Sequence, residues 1–131
     1  MNKIYYLKTC STCVRIIKSL QLPSNFVFQD IKEEEITVKQ LEELYKLSGS
    51  YEALFSKRAK LYKEMGLKDM NLTEKDYKHY ILEHYTFLSR PVIVFKNQIF
   101  IFNLEIKSDR DSGTRIICQS IHKLFNHISK N

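Results

Sequence analysis

Apolar and polar positions fall in short blocks along this chain, and the blocks predict both strands and helices. Lys3 to Leu7 is apolar with two tyrosines, a β-prone stretch that stops at the polar cluster Lys8-Thr9-Cys10-Ser11-Thr12. Beyond it Val14, Ile16, Ile17 and Leu20 fall on a helical stripe, while Arg15 and Lys18 point elsewhere. A strand, a turn and a helix are therefore expected, with Thr9 or Ser11 as the helix N-cap. Pro23-Ser24-Asn25 breaks that helix, and Phe26-Val27-Phe28 begins a second strand that ends at Gln29-Asp30.

The middle of the chain has helical spacing. Thr37 with Gln40 is a capping-box pattern, followed by Leu41, Leu44 and Tyr45, and Ser48-Gly49-Ser50 ends that helix. Ala53 to Met65 reads as one helix carrying Leu54, Leu61, Tyr62 and Met65, closed by Gly66. Thr73 opens the next, with Tyr77, Tyr80, Ile81 and His84 on one face. Arg90-Pro91 leads into the apolar run Val92 to Phe95. Lys96-Asn97 is a hairpin turn and Gln98 to Phe102 the returning strand. After a polar loop from Lys107 to Gly113, Ile116, Ile117, Ile121, Leu124, Phe125 and Ile128 define a last amphipathic helix, about 114–129. The order strand, helix, strand, several helices, hairpin, helix predicts a thioredoxin-like α/β plan. Its sheet would be four-stranded and mixed, with helices on both faces and a helical insertion over about 31–89 between the second and third strands. At 131 residues the chain is expected to form one domain, 1–131.

Composition narrows the class. With 44% hydrophobic and 27% charged residues the chain has enough apolar surface for a core, which argues against disorder. No apolar run approaches the roughly 20 residues of a membrane span. The apolar part of Met1 to Lys8 is too short for a secretory signal, so a soluble, cytoplasmic protein with no membrane association is expected. Lys and Arg exceed Asp and Glu by 21 to 15. That modest excess favours anionic ligands or acidic partner surfaces and is too dispersed to imply direct nucleic-acid binding. The cysteines are three, Cys10, Cys13 and Cys118; an odd number without an export signal argues against a disulfide framework.

The chemistry centres on Cys10-Ser11-Thr12-Cys13, placed where a strand gives way to a helix. A thiol there faces unpaired backbone N–H groups and the positive end of the helix dipole. Both favour the thiolate, so Cys10 is expected below the ~8.5 of a free cysteine, with Cys13 one turn on and able to attack a mixed disulfide at Cys10. Two alternatives stay open at this point. The pair could be half of a zinc site completed by Cys118 and His122, or two inert buried thiols. A phosphatase-type loop is disfavoured because Arg15 follows the nucleophile too early. In thioredoxin-like folds a cis proline precedes the strand that Pro91 opens here and faces the cysteine loop. A cis Arg90–Pro91 bond would place the Arg90 guanidinium near Cys10, to lower its pKa and bind an oxyanion.

Over about Lys3 to Asn103 the chain resembles the arsenate reductase / Spx (ArsC-like) family of thioredoxin-fold proteins. The resemblance rests on Tyr6 to Cys13, on Ala53 to Arg58, on Tyr62 to Leu67, and on His84 through Arg90-Pro91-Val92-Ile93-Val94. It implies that Cys10 is the nucleophile and that Arg90, before a cis proline, stabilises thiolate or oxyanion. Glutaredoxin-linked arsenate reductases have two further arginines, which would fall at Ser56 and Asn103 here. Arg58, two positions away and on another part of a helix, is the substitute charge available. Those reductases lack the second cysteine, whereas Spx-type regulators carry it and use the pair as a redox switch. Losing two charge-assisted contacts, each worth about 1.5–3 kcal/mol, weakens an arsenate cage and leaves disulfide chemistry untouched.

Two functions follow as expectations. The first is a thiol-dependent oxidoreductase with Cys10 attacking and Cys13 resolving. Arg90, Pro91 and the amides at Ser11 and Thr12 would hold the anion, with glutathione, glutaredoxin or thioredoxin as electron donor and no bound cofactor or metal. The second is an Spx-like regulator that binds RNA polymerase and reads redox state through the two thiols.

Overall fold

Short strands and helices alternate as the sequence pattern requires. In the computed structural model, which describes residues 2–20, 22 and 24–102, the chain runs β1 (Lys3–Tyr6), α1 (Ser11–Ser19), β2 (Val27–Asp30), α2 (Val38–Ser48), α3 (Tyr51–Leu54), α4 (Lys60–Glu64), α5 (Glu74–Glu83), β3 (Val92–Phe95) and β4 (Gln98–Ile101). The loop and helix expected within 107–129 lie outside the described residues. Two units are distinct: one holds the sheet and α1, and the other is Ile31–Ser89.

In the first unit the strand order is β2-β1-β3-β4. β1 and β2 are parallel, joined through α1, and the other two pairings are antiparallel. This is the mixed sheet of a thioredoxin-like fold. Ile4 and Ile93 face each other across β1 and β3, and both are fully buried. Cys13 and Ile16 on α1 and Leu20 at its C-cap recur at three- and four-residue spacing, and all three are buried. Ile16 and Leu20 pack with Ile4, Phe26, Ile93, Phe95 and Phe102. The rings of Phe26 and Phe95 stack with centroids 5.7 Å apart. The β3–β4 turn is the expected Lys96-Asn97, with φ of 49° and 64°. Two successive left-handed residues make a turn whose twist suits a two-residue hairpin.

In the second unit the capping box forms as read: Gln40 N–H donates to Thr37 Oγ1 at 3.1 Å and Thr37 N–H to Gln40 Oε1 at 3.0 Å. Gly49 ends α2 with φ of 77°, a left-handed conformation that glycine adopts without a Cβ clash. The single helix expected over Ala53–Met65 is instead two, α3 and α4. Between them Phe55 is extended and bridges Leu88, with Ser56 N–H donating to Phe87 O at 2.7 Å and Ser89 N–H to Leu54 O at 2.8 Å. The turn also lets the Phe55 ring stack on Phe87 at 5.2 Å and lie against Tyr77 at 4.9 Å. Long-range pairing and aromatic burial thus outweigh a locally helical sequence. α5 is capped by Thr73 and Asp76, and His84 closes it, its Nδ1 lying 2.8 Å from Thr86 Oγ1.

Candidate active site

β1 ends at Tyr6, and buried Leu7 follows it. The chain then turns through exposed Lys8 and Thr9 while Cys10 N–H donates back to Leu7 O at 3.1 Å. Val14 N–H donates to Cys10 O at 3.1 Å, which closes the first turn of α1. Cys10 itself therefore occupies the N-cap position, with extended backbone and no side-chain capping bond. This corrects the expectation of Thr9 or Ser11: the tether from Cys10 to Leu7 sets where the helix starts, and outranks hydroxyl capping preference.

The two thiols are unequal. Cys10 is half-buried, and Cys13, one turn later on the core side of α1, is fully buried; both are free. Burial is the largest influence on Cys13 and pushes its thiol from 9.0 up to about 11, with charge repulsion from Cys10 and Asp30 adding to the rise. A hydrogen bond from the Leu7 backbone and the charge of Arg90 pull the other way.

Sheet register explains why those groups meet. Tyr6 pairs with Asp30 in the parallel β1–β2 ladder, so Asp30 reaches the end of the sheet from which the cysteine turn leaves. Tyr5 pairs with Val92 in the antiparallel β1–β3 ladder, so the residues just before β3 arrive at that same end. There the Arg90–Pro91 bond is cis, as proposed from the sequence. Pro91 is buried, Arg90 is half-buried, and Pro91 O accepts from Phe102 N–H at 3.2 Å. Cys10, Cys13, Asp30, Arg90 and Pro91 thus share one end of the sheet. Ser11 is exposed and Thr12 half-buried in the first turn of α1.

Other sequence candidates belong to the second unit. Ser56 is buried at 9% exposure. Arg58 is exposed and precedes α4 in a turn where Ala59 N–H donates to Ser56 O at 3.4 Å. It is not on a helix as expected, because the chain is extended at Phe55. Asn103, Cys118 and His122 lie outside the described residues. Among the described residues no cluster of three His, Cys, Asp or Glu side chains could hold a metal ion, and no helix is long and apolar enough to cross a membrane.

Two features carry only a faint signal in the sequence. Asp30 ends a strand, and nothing local ties it to Cys13. On the outer face of α1, Arg15 and Lys18 line a surface depression of about 390 Å³ together with Lys8, Thr9, Ser11 and Val14. The spacing of residues 11, 15 and 18 along one helix face was the available signal.

Comparison with known proteins agrees with this architecture. A sequence model of the ArsC family matches residues 5–101. Among solved structures, an ArsC family related protein from Bacteroides fragilis superposes with a TM-score of 0.65 at 23% identity, covering 76% of this chain and 89% of that one. An arsenate reductase from Vibrio cholerae gives 0.60 at 21% identity, covering 88% and 96%. An arsenate reductase (ArsC) related protein from Brucella melitensis gives 0.60 at 17%, covering 76% and 84%. No curated protein sequence matches.

Proposed function

Because the chain belongs to the ArsC family, we propose that it is a thiol-dependent oxidoreductase in which Cys10 attacks and Cys13 resolves. The supporting observation is the asymmetry of the pair. Cys10 caps α1 within reach of solvent, whereas Cys13 is sealed on the core side with its thiol pushed up to about 11. At neutral pH such a thiol is ionised in only about one molecule in ten thousand, so an external disulfide reacts first at Cys10. The Cys10 thiolate attacks one sulfur of the substrate disulfide, forms a mixed disulfide and expels the other sulfur as a thiolate. Tying Cys10 into that bond removes the negative charge that helps to raise Cys13, and the expelled thiolate accepts the Cys13 proton. Cys13 then attacks the Cys10 sulfur, closes an intramolecular disulfide and releases the second substrate thiol. Two electrons pass to the substrate. Glutathione, glutaredoxin or thioredoxin returns them, with no bound cofactor.

Arg90 and the backbone amides of Ser11, Thr12 and Cys13 stabilise the thiolate and any bound oxyanion, and Pro91 shapes the approach. Arsenate is the weaker of the two substrate classes, because this sequence has Ser56 and Asn103 where the resemblance expects two further arginines beside Arg90. A dithiol that donors such as glutathione or thioredoxin return to the reduced state fits a reducing compartment such as the cytoplasm. The test compares disulfide and arsenate reduction by wild type, Cys10→Ser and Cys13→Ser with each donor. Cys10→Ser should abolish both activities, and Cys13→Ser should abolish steady turnover. Wild-type rates in Cys10→Ser contradict the mechanism.

A second reading, an Spx-like regulator that binds RNA polymerase, is favoured by the same buried Ser56 together with the second cysteine. Capture of polymerase by one redox state of the pair supports it, and capture by neither counts against it.

A further inference from the structure

We infer that the depression on the outer face of α1 receives an acidic polypeptide segment, and that this segment flanks the sulfur that reacts at Cys10. The inference rests on the reading of Cys10 as nucleophile and adds the substrate class.

The depression is bounded by Lys8 and Thr9 from the turn after β1 and by Ser11, Val14, Arg15 and Lys18 from α1. Three of its six lining residues are cations and none is a carboxylate. Lys8, Thr9, Ser11, Arg15 and Lys18 are exposed, and Val14 alone gives it a partly buried apolar floor. Among the described residues neither Arg15 nor Lys18 makes an ion pair. Chain geometry sets the size of the occupant. Ser11 to Lys18 spans seven residues of helix, roughly 10 Å, which is the length of about three residues of extended peptide. About 390 Å³ suits several side chains rather than one small anion. One end of the depression is Ser11, the residue next to Cys10, so a peptide seated along Arg15 and Lys18 delivers its own cysteine to the reactive sulfur. Cations facing water, here Arg15 and Lys18, raise the local concentration of an anionic partner and its association rate.

The experiment uses peptides whose cysteine is activated as a thiopyridyl disulfide. Cys10 thiolate attacks the peptide sulfur, the S–S bond to the pyridyl group breaks, and thiopyridone leaves with the electron pair, which is read by absorbance. Three peptides carry aspartate, glycine or lysine around the cysteine, and glutathione disulfide is a fourth substrate. At low salt the acidic peptide should react with wild type roughly tenfold or more faster than the glycine peptide, and the lysine peptide slower. The advantage should vanish in Arg15→Glu/Lys18→Glu and in about 1 M salt, where charges are screened within ~3 Å. The glycine-peptide rate of the same variant is the reference for this ratio, so any change in the intrinsic reactivity of Cys10 divides out. Equal rates for acidic and neutral peptides, or an advantage that survives the charge reversal, overturn the proposal. An acceleration of glutathione disulfide as large as that of the acidic peptide overturns its assignment to a polypeptide.

A parallel binding measurement separates this proposal from the reading it rests on. A fluorescent aspartate peptide with serine in place of cysteine should bind wild type in a salt-dependent way and lose binding in the charge-reversed variant. If Cys10 fails to react with any peptide while this peptide still binds, the nucleophile assignment falls and the acidic-segment site stands. If the peptide does not bind wild type, the site falls.

Discussion

Replacing Cys13 with alanine should flatten the alkaline side of the protein's stability curve, and the size of the effect follows from its burial. Burial holds the Cys13 thiol at about 11 in the folded chain against 9.0 for an ordinary thiol. Below the ordinary value both folded and unfolded states keep the proton, so the thiol adds no pH dependence. Between the two values the unfolded chain ionises and the folded one does not, so stability is lost as pH rises. A two-unit gap corresponds to about 3 kcal/mol when the window is fully crossed. Linkage over part of that window gives a loss of about 2 kcal/mol near pH 10.5. The assay is urea unfolding followed by circular dichroism under reducing conditions, for wild type and Cys13→Ala, at about pH 7.5 and about pH 10.5. Other groups that titrate in this range cancel in the difference between the two proteins. The stability advantage of wild type should shrink by about 2 kcal/mol on going to the higher pH. A difference that does not change with pH refutes the claim that Cys13 is held protonated by its surroundings.

Three further outcomes are expected. Phe55→Ala removes a fully packed ring that stacks on Phe87 and lies tilted against Tyr77, and should cost about 3–5 kcal/mol in urea unfolding, whereas a loss below about 1 kcal/mol would show that the aromatic cluster is not tightly packed. Gly49→Ala should cost about 1 kcal/mol by the same assay, because an added Cβ has open space around it and the penalty comes from the φ of 77° alone. Tyr77 is held up to about 12, first by burial and then by the hydrogen bond it donates to Glu52 at 2.8 Å; Glu52→Gln should therefore lower its titration midpoint, by NMR of labelled tyrosine, while leaving it above 10.0.

Elements whose signals are local were legible in the sequence. Thr37 with Gln40, Thr73 at the start of α5, Gly49 after α2 and Lys96-Asn97 between β3 and β4 each carry their structural instruction within a few residues, and the structure follows them. The strand-to-helix setting of Cys10 was legible for the same reason. The break between α3 and α4 was not, because it depends on Leu88, more than thirty residues from Phe55 and paired with it across the second unit. Asp30 escaped notice because only the Tyr6–Asp30 register of the parallel ladder brings it to the cysteine end of the sheet. Helical spacing placed Cys13 on α1, but the degree of its burial depends on the sheet beneath, and so does the inequality between the two thiols.

That inequality is tested most directly by trapping the covalent intermediate. Wild type, Cys10→Ser and Cys13→Ser are each mixed at neutral pH with one equivalent of a glycine-flanked peptide disulfide, quenched with acid and mapped by mass spectrometry. Cys13→Ser should accumulate the peptide on Cys10, wild type should pass on to a Cys10–Cys13 disulfide, and Cys10→Ser should show no peptide on Cys13. Peptide found on Cys13 in place of Cys10, or wild type left as a stable mixed disulfide, contradicts the assignment of attacking and resolving sulfur.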